Sequence, residues 1–342
     1  MKKTFLFAAV LLFLLCRQLT AQTIFVDPLK GDDTQNGSAD HPLASLEKAV
    51  ATANSFPGTQ PVTIKLGAGL YTLTDQLTIL SPAGKQGMRY SMEAAILPDD
   101  SNWAPAKMPV IQSISANNST VQFPHAVGIR VAIPLVSFRG LKFTGNANPA
   151  VTYYYPITKE DSLLQGLEVS QCLFVGDRYA APIQGAVWAH GPSTVIDHCI
   201  FFNCKNALLF FKGVEHFSVT HSIIYGAYEA AMWVWLLNGQ LTFRDNIVAN
   251  CGYLWTIPKD ADTKAVFENS LLIQVQHDAG NWVNGMTPAN SRGFEFKNTG
   301  RTGKADLVEP ASPVDPVEQL DLSALSKGHT TDAGLFKVRK TR

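Results

Sequence analysis

Charged residues are scarce and balanced in this chain. Only 16% of its 342 residues are Asp, Glu, Lys or Arg, and 28 basic side chains balance 28 acidic ones. Without the first 21 residues, which contain Lys2, Lys3 and Arg17, 25 basic residues remain against 28 acidic ones. A nearly neutral chain lacks the excess positive charge that drives association with nucleic acid or with an anionic membrane surface. Neither class of partner is expected.

Long hydrophobic runs are also missing, the longest being Phe5 to Leu15. This run is shorter than the ~20 apolar residues that span a bilayer, so no membrane span is expected. A basic start, Met1–Lys3, precedes the run, and Leu19–Thr20–Ala21 follows it, which is the pattern of a secretory signal peptide. The sequence predicts cleavage after Ala21 and export of the mature protein to the periplasm, the cell surface or the medium.

Cysteine is rare, with five residues in the chain and four after residue 21. A chain of this length buries a core without disulfides, so a small disulfide-stapled domain is excluded.

A repeated pattern occupies the second half of the chain. Five six-residue segments have a polar pair between apolar residues: 169–174, 196–201, 219–224, 243–248 and 267–272. Their third positions are 27, 23, 24 and 24 residues apart and are occupied by Gln171, His198, His221, Asp245 and Asn269. A fixed period in this range is typical of a solenoid, in which each repeat buries its apolar face against its neighbours. Strand, corner and strand in each repeat predict a parallel β-helix.

The repeat also places the cysteines. Cys172 and Cys199 occupy the same position in successive coils, where side chains stack along the inside. They are either buried free thiols or a stacked disulfide. Cys204 and Cys251 are two coils apart, too distant to pair across strands about 4.8 Å apart.

The predicted organisation is one β-helix domain over residues 22–342, expected to be a monomer. Leu43, Leu46, Ala49, Val50 and Ala53 fall at helical spacing and predict a helix at about 43–54. This helix would cap the open N-terminal end of the solenoid. The coils are clearest over 135–275. Beyond about 275 the period fades, and an irregular C-terminal segment, 284–342, begins with a predicted loop or strap over 284–318.

Three motifs resemble those of a known group of proteins. They are Phe25-Val26-Asp27…Gly31-Asp32-Asp33…Asn36-Gly37…Pro42-Leu43-Ala44-Ser45-Leu46…Ala49, then Ile64-Lys65-Leu66-Gly67-Ala68-Gly69-Leu70-Tyr71, and finally Leu322-Ser323…Ser326…Asp332-Ala333-Gly334. With them the chain resembles the exported right-handed parallel β-helix proteins of the pectate-lyase-like superfamily. The resemblance implies an all-β, single-domain right-handed β-helix that acts on or binds polysaccharide. It implies no one reaction, because the superfamily includes lyases, hydrolases, epimerases and members without known activity.

A second strand in each coil carries most of the tryptophans. Alternation along these strands predicts one outward column of Trp188, Leu209, Trp233 and Trp255, and a second column of His190, Phe211, Trp235 and Ile257, with Tyr253 beside them. Exposed aromatic rings offer large rigid surfaces on which sugar rings stack. Three hypotheses remain: a platform for polysaccharide, a small second core covered by loops, or a docking surface for a protein. For a sugar platform the binding residues would be Trp188, Phe211, Trp233, Trp235, Tyr253 and Trp255.

Ionisable residues near this face are the candidate catalytic groups. In a lyase, Lys212 or His190 would be the base, and Ca²⁺ or cationic side chains would neutralise a uronic acid carboxylate. In a glycoside hydrolase, Asp177, Glu215 or Glu229 would form the carboxylate pair. The outward columns carry almost no charge, which departs from the lyase pattern, and each candidate is also explained as a solvated loop charge. The leading hypothesis is a polysaccharide lyase or glycoside hydrolase, and the rival is a non-catalytic glycan-binding or surface-interaction protein.

Two further polar groups have structural and metal-binding interpretations. His198 and His221, flanked by Gln171, Asp245 and Asn269, predict a polar ladder that hydrogen-bonds the corners. The same ladder offers imidazole and carboxylate ligands for a metal, a less favoured hypothesis. Asp32, Asp33 and Asn36 form either a turn or a Ca²⁺ site. No metal site is assigned, and Ca²⁺ remains a candidate cofactor.

Overall fold

A computed structural model describes residues 22–56, 60–81, 88–235, 239, 241–259, 263–302 and 332–337. The predicted signal peptide lies outside these residues. Within them, no helix is long and apolar enough to cross a membrane.

Twenty-eight strands form three sheets in the described part of the chain. Sheet A contains β1 (Gln22–Val26), β2 (Val62–Leu66), β5 (Tyr90–Ala94), β8 (Val136–Arg139), β11 (Leu167–Ser170), β14 (Thr194–Asp197), β17 (Phe217–Thr220), β20 (Leu241–Arg244), β23 (Ala265–Glu268) and β27 (Phe294–Lys297). Sheet B contains β3 (Gly69–Leu73), β6 (Pro109–Ser113), β9 (Lys142–Asn146), β12 (Leu173–Val175), β15 (Ile200–Phe202), β18 (Ile223–Tyr225), β21 (Ile247–Ala249), β24 (Leu271–Ile273) and β28 (Gly300–Thr302). Sheet C contains β4 (Leu77–Ile79), β7 (Ala126–Val131), β10 (Tyr154–Lys159), β13 (Val187–Ala189), β16 (Asn206–Phe210), β19 (Ala230–Val234), β22 (Tyr253–Thr256), β25 (His277–Trp282) and β26 (Met286–Pro288).

The chain visits sheets A, B and C in turn, and each strand pairs in parallel with its counterpart one coil away. The antiparallel hairpin of β25 and β26 is the exception among the described strands. The predicted fold, an all-β right-handed parallel β-helix, is thereby confirmed, and its hand is the one that parallel crossovers almost always take.

The polar third positions of the repeat are explained by backbone geometry at the corner between sheets A and B. Gln171, His198, His221, Asp245 and Asn269 all have φ between 46° and 57°. Non-glycine residues are uncommon in this left-handed region, and Asn, Asp and His tolerate it better than most. The next residue points inward and forms a ladder, in which Ser222 Oγ accepts from the Cys199 N–H at 3.1 Å. The corner-backbone hydrogen bonds expected of the third-position side chains are thus made by the residues that follow them, such as Ser222, Asn246 and Ser270.

The four described cysteines are buried and unpaired. Cys172 and Cys199 lie inside the corner at 0% exposure, where burial raises the pKa of the Cys172 thiol to about 12. Of the two alternatives, the structure has free thiols.

A helix, α1 (Leu46–Ser55), covers the N-terminal end of the solenoid as predicted. Its apolar stripe of Leu46, Ala49, Val50 and Ala53 is buried. Ser45 caps its first turn by accepting from the Lys48 N–H at 3.1 Å. Aromatic stacks continue the core along the axis, with ring centroids 4.9 Å apart for Phe143 and Phe174, and 5.0 Å for Phe174 and Phe201.

The solenoid extends further than the sequence pattern predicts. Strands β27 and β28 add to sheets A and B after residue 284, so the expected loop or strap is wrong for this part. The remainder of that prediction, 303–318, lies outside the described residues. A different segment, 332–337, covers an outer face: Ala333, Leu335 and Phe336 pack on sheet B.

Candidate functional site

The outer face of sheet C carries the predicted aromatic columns, with one correction. Thr158, Trp188, Leu209 and Trp233 are in register on successive strands, as alternation requires. The next strand pairs Trp233 with Thr256, and Trp255 with Met232. A register difference of one residue moves a side chain to the other face of a sheet. The predicted outward positions of Trp255 and Ile257 are therefore wrong, and both side chains lie in the core.

Trp255 is part of the core instead. It is fully buried, its ring lies 6.0 Å from Phe267 and 5.5 Å from Phe294, and its Nε1 donates to the Val234 carbonyl at 3.1 Å. Tyr253, on the same strand, stacks on His277 at 4.9 Å near the corner between sheets B and C. It is partly exposed, and Ala230 is its partner in register.

Trp188 faces outward but is covered. It is 3% exposed and forms a small cluster with Tyr155 and Leu209. The ring centroids of Trp188 and Tyr155 are 4.7 Å apart, and His125 lies 5.6 Å from Trp188. The hypothesis of a second small core thus holds for this end of the face.

The other end of the face is accessible. Phe211, Trp233 and Trp235 are partly exposed, and Trp282 is 48% exposed. Ring centroids lie 6.1 Å apart for Phe211 and Trp233, and 6.0 Å apart both for Trp233 and Trp235 and for Trp233 and Trp282. We call these four side chains the aromatic face. The repeat does not predict Trp282, because the period fades at its strand, although an indole there was a usable signal.

Trp233 is held in place by a polar chain at the corner between sheets B and C. Its Nε1 donates to Asn206 Oδ1 at 2.7 Å, and Asn206 Nδ2 donates to Glu229 Oε2 at 2.8 Å. The other oxygen of Glu229 pairs with Lys205 at 3.4 Å. Both oxygens of Glu229, a predicted catalytic carboxylate, are thus engaged, and one of them holds Asn206 and through it Trp233.

Neither of the other predicted carboxylates, Asp177 and Glu215, lies beside Glu229 as the second member of a catalytic carboxylate pair. Asp177 Oδ1 accepts from the N–H groups of Tyr179 and Ala180 at 2.8 and 3.0 Å, which closes a turn before β13. Glu215 is exposed after β16, at the corner between sheets C and A. Strands of three to five residues, roughly 10–16 Å long, separate that corner from Asp177 and Glu229.

The predicted bases lie beside the aromatic face. His190 is 4% exposed, with its ring 6.0 Å from both Trp188 and Phe211. Burial lowers the pKa of His190 to about 4, helped by the charges of Lys212 and Lys159, so the imidazole is neutral at pH 7. Its Nδ1 has no hydrogen-bond partner in the described part of the chain. Lys212 is exposed and follows Phe211.

The histidine ladder does not have the geometry of a metal site. Asp197, His198 and His221 bring three ligand atoms within 4.8 Å of one another. The two imidazole rings, however, are stacked 4.6 Å apart at an angle of 3°. Parallel rings aim their in-plane lone pairs in parallel directions, and the ammonium of Lys337 already lies 2.9 Å from Asp197. Ring stacking and hydrogen bonds to Gly334 and Asp197 account for His198 and His221 without a metal.

The turn at Asp32, Asp33 and Asn36 is also explained without an ion. Asp33 Oδ1 accepts from the Ala44 and Ser45 N–H groups at 2.9 Å, and Asp33 Oδ2 accepts from Ser45 Oγ at 2.6 Å. Asp32 Oδ1 accepts from Thr34 at 2.8 Å, and Asn36 Oδ1 from the Ser38 N–H at 3.0 Å. These bonds hold the lead-in to α1, which is a structural role.

No protein-family model and no curated protein matches the sequence. Among solved structures, a rhamnogalacturonan lyase is similar with a TM-score of 0.47 and 13% identity, over 83% of this chain and 83% of that chain. A glycoside hydrolase gives 0.41 and 8%, over 89% and 99%. A pectin methylesterase from Erwinia chrysanthemi gives 0.40 and 10%, over 89% and 96%. At these values the similarity says nothing of reaction or substrate, and the fold assignment rests on the three sheets.

Proposed function

We propose that this protein binds a polysaccharide along the outer face of sheet C. The observation that carries the proposal is the aromatic face, in which four aromatic side chains on or just beyond β16, β19 and β25 are partly exposed, Trp282 by 48%. Exposed apolar patches of this kind mark interaction sites, and indole rings suit the apolar faces of sugars. Trp233 is fixed by Asn206, so less side-chain entropy is lost when a ligand binds.

The test is retention of the mature protein by a panel of neutral and uronic-acid polysaccharides in affinity electrophoresis. Trp282→Ala removes the most exposed ring and is expected to weaken binding about tenfold or more. Trp282→Phe keeps a ring and is expected to retain most of the affinity. Val283→Ala is the matched control, because Val283 is the next residue and is 44% exposed. Wild-type affinity in Trp282→Ala, or no retention by any polysaccharide, would refute the proposal.

Cleavage of the bound chain is the second candidate function, and His190 is the observation that favours it. The imidazole of His190 is neutral at pH 7 and has an unpartnered Nδ1 beside the aromatic face, so it can accept a proton there, with Lys212 as the neighbouring cation. A pKa of about 4 makes it a weak base, so a slow lyase is expected. Hydrolysis finds less support, because Asp177 and Glu229 are engaged and lie across the sheet from Glu215. Absorbance of unsaturated products, lost in His190→Ala but kept in Trp282→Phe, would establish the lyase. Reducing ends without unsaturation would establish a hydrolase.

We also propose export, from the pattern of residues 1–21. The expected result is an N-terminus at Gln22 in protein recovered outside the cytoplasm. Recovery in the cytoplasm with Met1 retained would contradict it.

A further inference from the structure

Residues 332–337, which we call the latch segment, lie across the corner between sheets A and B. The Gly334 N–H donates to the His221 carbonyl at 2.8 Å, and His198 Nδ1 donates to the Gly334 carbonyl at 2.9 Å. One coil earlier, Gln171 Nε2 donates to the Leu335 carbonyl at 2.9 Å. The third-position side chains of two successive coils, Gln171 and His198, therefore donate hydrogen bonds to two successive carbonyls of the latch segment.

The latch segment covers apolar surface. Ala333 and Leu335 are fully buried against the outer face of sheet B, and Phe336 is 7% exposed. The Phe336 ring meets Trp103 edge to face at 5.2 Å. Release of the segment would expose this face.

Charged groups surround the two histidines on every packed element. Asp197 Oδ1 accepts from His221 Nδ1 at 3.2 Å, and Asp197 Oδ2 pairs with Lys337 of the latch segment at 2.9 Å. On the far side, Asp245 lies 3.5 Å from His221 Nε2 and 3.6 Å from Arg244. Two further carboxylates are near: Asp332, which acts on His221, and Asp99, which accepts from Gln171 and from the Lys337 N–H.

The two histidines differ in their protonation. Burial lowers the pKa of His198, although Asp197 opposes this shift. The hydrogen bond to Asp197 raises the pKa of His221. Asp197 keeps its charge in mild acid, since its bonds to His221, Lys337 and Thr220 overcome burial and lower its pKa. The first proton therefore goes to His221. The second must go to His198, whose ring centroid lies only 4.6 Å from that of the protonated His221 and which is close to the Lys337 ammonium.

We propose that the latch segment is acid-sensitive and loosens when His198 and His221 are both protonated. Two positive rings in contact repel each other and repel Lys337, and moving the latch segment away relieves the second repulsion. Release also frees Asp197 from Lys337, so Asp197 then stabilises the protonated histidines. Release also returns the buried His198 ring to water, which favours its protonated form more than loss of the bond to the Gly334 carbonyl disfavours it. The released form therefore binds protons more tightly, and acid shifts the equilibrium toward release.

Hydrogen exchange of the full mature protein tests the proposal. The readout is amide protection of peptides containing Gly334–Phe336 at pH 7 and pH 5, corrected for the intrinsic pH dependence of exchange. We expect about a tenfold loss of protection at pH 5, while the amides of β15 and β18 remain protected. Equal corrected protection at both pH values would overturn the proposal.

The ladder itself supplies the variants. Gln171 has φ 53° and grips the latch segment, so Gln is compatible with the φ of 52° at His198. His198→Gln keeps a donor for Gly334 and removes the titration, so protection should become equal at both pH values. His221→Asn, which copies Asn269, leaves the His198 bond intact and should also abolish the acid effect. This variant is the deciding test if the latch segment of His198→Gln is unprotected at both pH values. His216→Gln is the matched control, since His216 is exposed with φ 50° and should keep the wild-type response. A wild-type acid loss in His221→Asn would refute the latch.

Discussion

Lys159 is a fully buried lysine whose ionisation should depress stability at neutral pH. It occupies an inward position of β10, in register with Ala189 and, one coil further, Phe210. Its ammonium donates to the backbone carbonyls of Leu164 and His190. Burial lowers the pKa of Lys159 from 10.5 to about 8, and Asp161 offsets only part of this effect.

The size and the sign follow from linkage. Between pH 8 and 10.5 the unfolded chain binds this proton and the folded chain does not, so stability rises with pH over this window. A shift of about 2.5 pKa units costs the folded state roughly 3 kcal/mol at pH 7. At pH 9.5 the folded lysine is neutral, and the remaining cost is that of removing the proton of the unfolded lysine one pH unit below its pKa, roughly 1.4 kcal/mol.

Lys159→Met isolates this term. The variant leaves two carbonyls without a donor, but that cost is independent of pH and cancels between two pH values. The free energy of unfolding of the wild type, relative to Lys159→Met, should rise by roughly 2 kcal/mol between pH 7 and 9.5, measured in urea. Lys259→Met, at an exposed lysine, should show no such change. Parallel pH profiles for the wild type and Lys159→Met would refute the reasoning.

Three further predictions concern stability measured by urea unfolding. Trp255→Ala should cost about 3–5 kcal/mol because it opens a core cavity, whereas Trp282→Ala should cost less than about 1 kcal/mol; equal losses would contradict their opposite placement. Asn246→Ala should cost roughly 2–4 kcal/mol, because Asn246 Oδ1 accepts from the Ser222 N–H and its Nδ2 donates to the Val219 carbonyl, and a loss below 1 kcal/mol would speak against the ladder. Asn269→Val should cost roughly 1–2 kcal/mol at φ 46°, with Asn269→Gly near neutral as its control.

The fold was predictable because its signal is local and repeated. Each coil must turn at the same left-handed position, so Gln171, His198 and their successors recur at a near-constant spacing. The position of α1 followed equally from the spacing of its apolar residues. Both signals depend on residues close together in sequence, where backbone geometry restricts the choice of side chain.

The site was less predictable because it depends on register and long-range covering. Alternation placed Trp188 and Trp233 correctly, but a shift by one residue between β19 and β22 turned Trp255 inward. Exposure itself has no local signature, since Trp188 is covered by Tyr155 and Leu209, and Trp282 is not. The use of Glu229 to hold Asn206 is a contact between neighbouring coils, which spacing alone does not reveal.

The three outer faces of the solenoid differ in a way that favours sheet C as the ligand-binding face. Sheet A presents charged and hydroxyl side chains, such as the ion pair of Lys65 and Glu93 at 3.4 Å, which water solvates at little cost. Sheet B presents apolar side chains, and the latch segment packs on part of them. Sheet C presents apolar rings that the described residues cover only at the Trp188 end, leaving Trp282 half exposed. A chain that buries one apolar face with its own C-terminal residues and leaves rings open on another retains a surface suited to a partner from outside.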